Sequence, residues 1–152
     1  MTPITIKDIE KRVWHSVTTV SHALHDYDDV NPETKEIVRQ AAAEKRFAFI
    51  ADPDDLIFTY FRNKGFLESL AEHNIPIENN LITTSDLTQH GGYAQAKQLL
   101  SLPPLPDAIV ASNNLMAPGT IIAAQEKGLI IGKDISITGF DDTPMAEYSF
   151  PR

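Results

Sequence analysis

The chain has 152 residues, 42% of them hydrophobic and 22% charged, with no cysteine and a formal net charge of −8. That is the size of one ordinary domain, or of a small module joined to a medium one, with a soluble, globular composition. Disulfides and thiolate metal sites are excluded, no run approaches the ~20 apolar residues that span a bilayer, and the charged first twenty residues do not read as a signal peptide.

The expected setting is therefore a reducing cytoplasm. An acidic balance argues at first against nucleic acid, because phosphate binding needs a positive footprint. The charge is uneven, however: residues 1–47 carry seven Lys/Arg against eight Asp/Glu, and residues 48–152 carry six against thirteen. Within residues 1–25 three basic residues face two acidic ones, joined by His15, His22 and His25.

Residues 5–47 read as three short helices. Thr5 followed by Asp8 is a capping-box-like start, and Ile6, Ile9 and Val13 form one apolar stripe. Ser16 can cap a second helix with Val20, Ala23 and Leu24 on its apolar side. The other side of that helix, Val17, Thr18, Ser21, His22 and His25, is mostly small and polar. After a turn through Asp26–Asp29, Asn31-Pro32 supplies a cap and an N1 proline for a third helix carrying Ile37, Val38, Ala41 and Ala42.

From Phe47 the rhythm changes. Short apolar runs at 47–51, 81–84, 108–111 and 135–138 alternate with helical stretches near 57–73, 90–101 and 115–127. Strands separated by helices of that length imply crossover units and a parallel sheet. Pro103-Pro104-Leu105-Pro106 marks a stiff loop, and Gly128 and Gly132 fall where a helix and a turn should end. Pro118 falls inside the helix starting near Leu115, where it removes a hydrogen bond unless it lies in the first turn. The boundary is placed near residue 47, dividing the chain into 1–47 and 48–152, with no linker between them.

Thr5-Ile6-Lys7-Asp8-Ile9, Ser16-Val17-Thr18-Thr19-Val20-Ser21-His22-Ala23-Leu24 and Asp29-Val30-Asn31-Pro32-Glu33-Thr34 together resemble the DNA-binding headpiece of the LacI/GalR family of transcriptional repressors. The resemblance implies a helix-turn-helix in which Val17, Thr18 and His22 read bases in the major groove. Thr5, Ser16, Thr19 and Ser21 would then contact phosphates and fix the register. The chemistry suits those roles, since His22 can pair with a purine acceptor, while Val17 and the Thr18 methyl suit a thymine methyl.

The second part resembles the C-terminal half of the same family's sugar-sensing domain. The resemblance is carried by Arg62-Asn63-Lys64-Gly65-Phe66, Gly91-Gly92-Tyr93, Pro106–Asn113 and Gly132–Asp142. It implies a periplasmic-binding-protein-like fold in which Arg62, Asn113 and Asp141 hydrogen-bond a small effector, most often a sugar. Asn113 and Asp141 follow expected strands, and ligands sit at the carboxyl ends of parallel strands. The expected fold class is thus α/β with an all-α N-terminal module: a three-helix helix-turn-helix, then a partial parallel α/β lobe.

The chain also departs from the family pattern. Phe47 runs straight into strand-like Ala48-Phe49-Ile50, so the family's hinge segment and the first lobe of the sensing domain are expected to be missing. Trp14 and His15 replace small and aliphatic residues at the first turn, Glu10 stands where a small alanine is usual, and Lys45-Arg46 replaces a leucine-glycine helix end. Together these suggest a truncated or internally deleted product with impaired folding or activity.

The functional expectation is a sequence-specific DNA-binding repressor, responsive to a sugar by ancestry. Its partners would be a double-stranded operator and a second copy of the chain, with no membrane. The competing expectation is a remnant that no longer reads DNA and serves as a small-molecule-binding or protein-interaction module. Catalysis, a metal and a cofactor are not expected. Gly91-Gly92 lacks phosphate-loop spacing, and the three N-terminal histidines have no carboxylate at ligand spacing. Asp52, Asp54 and Asp55 lie in a Pro-bearing loop and read as solvated.

Overall fold

The computed structural model describes residues 23, 27–43, 45–53 and 55–140. The first expected helix and nearly all of the second lie outside the described residues. Ala23, on the expected apolar side of the second, is helical and fully buried.

Helix α1 spans Pro32–Ala43. The Asn31 side-chain oxygen accepts from the Thr34 N–H at 2.8 Å, and Pro32 occupies the first helical position, where no N–H is needed. The helix gives way almost at once to strand β1, Phe47–Ala51. The joint is held electrostatically. Lys45 Nζ reaches Asp107 Oδ1 at 3.0 Å, and the Arg46 N–H donates to Asp107 Oδ2 at 2.9 Å. The Arg46 guanidinium grips both oxygens of Glu78, at 2.7 and 2.6 Å. That grip holds the Glu78 carboxyl below its usual range and raises Arg46 above its own. Lys45-Arg46, a departure from the family pattern, thus ties the end of α1 to the amino-terminal edge of the sheet.

The remaining elements alternate. Helix α2 is Ile57–Glu72. A 3-10 turn at Asn79–Leu81 leads into β2, Ile82–Thr84. Helix α3 is Gln89–Leu99, β3 is Ala108–Ala111, α4 is Met116–Glu126 and β4 is Ser136–Thr138. Pro118 is the third residue of α4, within the first turn, so its missing N–H breaks no intrahelical bond. Gly128 and Gly132 adopt φ of +79° and +81° at the ends expected for them.

All four strands are parallel, in the order β2-β1-β3-β4. Alternation along β1 divides its side chains between the two faces. Ala48 and Ile50 join Ile109, Ala111, Met116, Ala123, Leu99 and Ile135 in one buried cluster under α3 and α4. Phe49 points the other way and stacks on Phe66 of α2, with ring centroids 4.5 Å apart. Helices therefore cover both faces of the central strands, which is why β1 and β3 read as apolar runs, whereas the outer strands β2 and β4 carry threonine and serine and are partly exposed. Right-handed crossovers require this arrangement: the chain winds outward through α2 to β2, then reverses direction through α3 to β3 on the far side of β1. The strand order switches between β1 and β3.

Candidate ligand site

A parallel sheet whose strand order reverses opens a crevice outside the carboxyl ends of the two strands at the reversal. The residues just past β1 and β3 are Asp52, Ser112 and Asn113. The ladder continues into these loops and fixes them, with the Ser112 N–H donating to Ile50 O and the Ser85 N–H to Ala51 O, both at 2.9 Å.

Asp52 is fully buried, contrary to the expectation of a solvated loop carboxylate. The reason is the pair of donors that converge on it. Arg62, reaching across from α2, donates from Nη1 to Asp52 Oδ2 at 3.2 Å and to the Ser112 carbonyl at 2.7 Å. Asn113 donates from Nδ2 to Asp52 Oδ1 at 2.7 Å. A charge at this depth is tolerated only when paired and hydrogen-bonded, and both carboxylate oxygens are. Asp55, from the same loop, is exposed as expected.

Asn113 has a second task. Its Oδ1 accepts from the Leu115 and Met116 N–H groups at 2.8 and 3.0 Å, satisfying two of the orphan donors at the start of α4. One side chain thereby starts the helix and turns its amide nitrogen toward the crevice. The Arg62 guanidinium lies against two aromatic rings, 4.9 Å from the centroid of Phe58 and 4.6 Å from that of Phe140. Those rings are 41% and 50% exposed, so they form the open rim above a buried polar floor.

Two of the three residues expected to hold an effector, Arg62 and Asn113, are thus brought together, through Asp52. The third, Asp141, lies outside the described residues, as do Thr5, Ser16, Val17, Thr18, Thr19, Ser21 and His22. Sequence reasoning missed Asp52, Phe58 and Phe140. The signal for Asp52 was its place immediately after an apolar strand, which is where a parallel sheet presents its ligand contacts. Among the described residues, no group of three or more His, Cys, Asp or Glu could hold a metal, and no helix is long and apolar enough to cross a membrane.

A doubly wound lobe with convergent polar groups at its switch point is the architecture of a small-molecule-binding domain. The family model described as a periplasmic binding protein-like domain matches residues 36–152, and that of the bacterial regulatory proteins, lacI family, matches residues 5–48. The chain belongs to the LacI family of bacterial regulatory proteins. It is 37% identical over 91 residues to the probable HTH-type transcriptional repressor ExuR of Bacillus subtilis, covering 60% of this chain and 27% of that one. It is 31% identical over 107 residues to the transcriptional repressor CytR of Escherichia coli, covering 70% of this chain and 31% of the relative. A LacI-family regulatory protein from Chloroflexus aggregans superimposes with a TM-score of 0.68 at 40% identity, covering 74% of this chain and 43% of that structure. The chain spans 27% to 31% of the length of these curated relatives.

Proposed function

We propose that this protein is a DNA-binding transcriptional repressor of LacI/GalR type whose α/β lobe takes a small-molecule effector, most simply a sugar. The observation that carries the reading is one chain holding a LacI-type match over residues 5–48 and, after it, a lobe with its polar groups gathered at the switch point. In this reading Val17, Thr18 and His22 meet base edges, while Thr5, Ser16, Thr19 and Ser21 meet phosphates. Arg62, Asn113 and Asp141 bind the effector. The working form is a homodimer on a two-fold operator in the cytoplasm, with no catalytic step. Residues 1–47 form the DNA-reading unit and 48–152 the sensing unit.

The test is selection of the purified chain against a randomised duplex library at about 100 mM salt, a concentration at which phosphate contacts still contribute strongly. Enrichment of a palindrome supports a dimeric repressor. Enrichment of a single half-site supports a monomeric reader with little regulatory power. A soluble chain that enriches nothing refutes DNA recognition.

A second reading has its own support. Ile57, Tyr60 and Phe61 of α2 are 80%, 61% and 63% exposed, an apolar surface of the kind that favours self-association or capture by another chain. If that is the chain's role, sedimentation will show oligomers that form without DNA and persist when Val17, Thr18 and His22 are all replaced by alanine.

A further inference from the structure

We propose that Asp52 sets the charge class of the ligand: it neutralises Arg62 from inside the fold, so that the crevice accepts an uncharged, hydroxyl-rich molecule and rejects anions. The inference rests on the crevice being the ligand site, as argued above.

A lone arginine at a switch point, flanked by an amide donor, would be an anion receptor. The guanidinium carries a fixed positive charge and a fork of donors matched to carboxylate and phosphate. Here that role is filled internally. The fully buried Asp52 takes a hydrogen bond from Arg62 on one oxygen and from Asn113 on the other, so both donors meet a carboxylate before any ligand arrives. The pair Asp52–Arg62 is neutral as a unit. An incoming anion would therefore meet no net positive charge to offset its dehydration. It would also approach a carboxylate that is fully buried and so little screened by water. Asp55, in the loop that follows β1, is exposed and adds a further negative charge at this end of the sheet.

A neutral polyhydroxy ligand escapes these penalties. Its hydroxyls can exchange water for polar groups held rigid by their mutual hydrogen bonds. Its apolar ring face has the half-exposed rings of Phe58 and Phe140 to pack against. Asp52 is buried beneath Arg62 and Asn113, so it acts through them as a positioning and selectivity residue. Discrimination of this kind works by a built-in repulsive element as much as by attraction.

The test uses the full chain and inorganic phosphate as the probe, read by backbone amide shifts of Ser112, Asn113 and Phe140. The wild type is expected to show no saturable shift with phosphate up to ~10 mM, whereas Asp52→Asn should bind it at least about tenfold more tightly than the wild type does. Adding Arg62→Gln to Asp52→Asn should abolish that gain, and Asp52→Glu, which keeps the charge, should stay insensitive. A purely structural role for Asp52 would lower stability in these variants without creating affinity for an anion. Asp52→Ser repeats the test should the asparagine variant fail to fold. Saturable phosphate binding by the wild type at these residues overturns the inference, and so do folded Asp52→Asn and Asp52→Ser chains as insensitive as the wild type. A panel of neutral sugars tests the ligand role separately. A wild type that responds to none of them counts against the uncharged-ligand class and the effector reading, while the phosphate comparison still decides what Asp52 does.

Discussion

Gly119→Ala should damage this fold more than any other single added methyl among the described glycines. A Cβ at residue 119 would lie 1.9 Å from the Gln89 carbonyl oxygen and 2.7 Å from the Tyr93 nitrogen. Both are backbone atoms of α3, so neither can swing aside as a side-chain end would. A relaxed carbon–oxygen contact needs about 3.5 Å, so α3 and α4 must part locally by more than ~1 Å. The seam has little slack elsewhere, because a Cβ at Gly92 would sit 2.4 Å from the Met116 carbonyl oxygen on the opposite helix. Met116, Ala96 and Ala123, buried along the same seam, would lose contact as it opened. Overpacking by a methylene costs ~1–3 kcal/mol, and two rigid clashes place this variant at the upper end. The gain in helix propensity from glycine to alanine, up to ~1 kcal/mol, offsets part of it. A net loss of ~2–3 kcal/mol corresponds to a melting temperature lower by roughly 6–10 °C. Circular dichroism at increasing temperature or urea measures this directly. The control is Gly65→Ala: residue 65 is exposed within α2 with nothing within 4 Å of the new Cβ, so stability should rise by ~0.5–1 kcal/mol. A Gly119→Ala chain that melts at or above the wild-type temperature would refute the close-packed seam.

Three further outcomes are expected. Glu78→Gln should weaken the joint at neutral pH by ~0.5–1 kcal/mol, a small value because the pair is partly exposed. Since Arg46 holds the Glu78 carboxyl below its ordinary value of 4.5, the pair's contribution is present above that pH and fades as pH falls through the lowered value. The gap in melting temperature between Glu78→Gln and wild type should close on acidification; a gap that widens instead would show the sign to be wrong. Asn113→Asp keeps the oxygen that starts α4 but sets a second carboxylate against Asp52, so it should destabilise by ~2–4 kcal/mol. Equal denaturation midpoints for Asn113→Asp and wild type would contradict the Asn113–Asp52 hydrogen bond. Asn31→Ala removes the acceptor for the Thr34 N–H and should cost ~1 kcal/mol, with faster amide exchange confined to the first turn of α1. Uniform exchange across the chain would argue against a local cap.

Local chemistry was legible in the sequence. The Asn31-Pro32 pair predicts the start of α1, the apolar runs predict the four strands, of which β1 and β3 are largely buried and β2 and β4 are half-buried or exposed, and the glycines at 128 and 132 predict the two left-handed ends. Each of these depends on neighbouring residues alone, so it survives being read along a line. The resemblance also singled out Arg62 and Asn113. Asp52 precedes them by ten and 61 residues, and no periodicity connects it to either.

What the sequence by itself determined is therefore the alternation of elements, the parallel class of the sheet and the family to which the chain belongs. Only the tertiary structure decided that Asp52 is a buried partner and not a solvated loop residue, and that Lys45 and Arg46 close a joint. Both facts are electrostatic pairings, most of them between residues 32 to 62 positions apart, with Asp52 and Arg62 alone as close as ten. Whether a charge is buried depends on what the folded sheet brings within hydrogen-bond reach of it, and β1 and β3 meet only after the chain has reversed its winding.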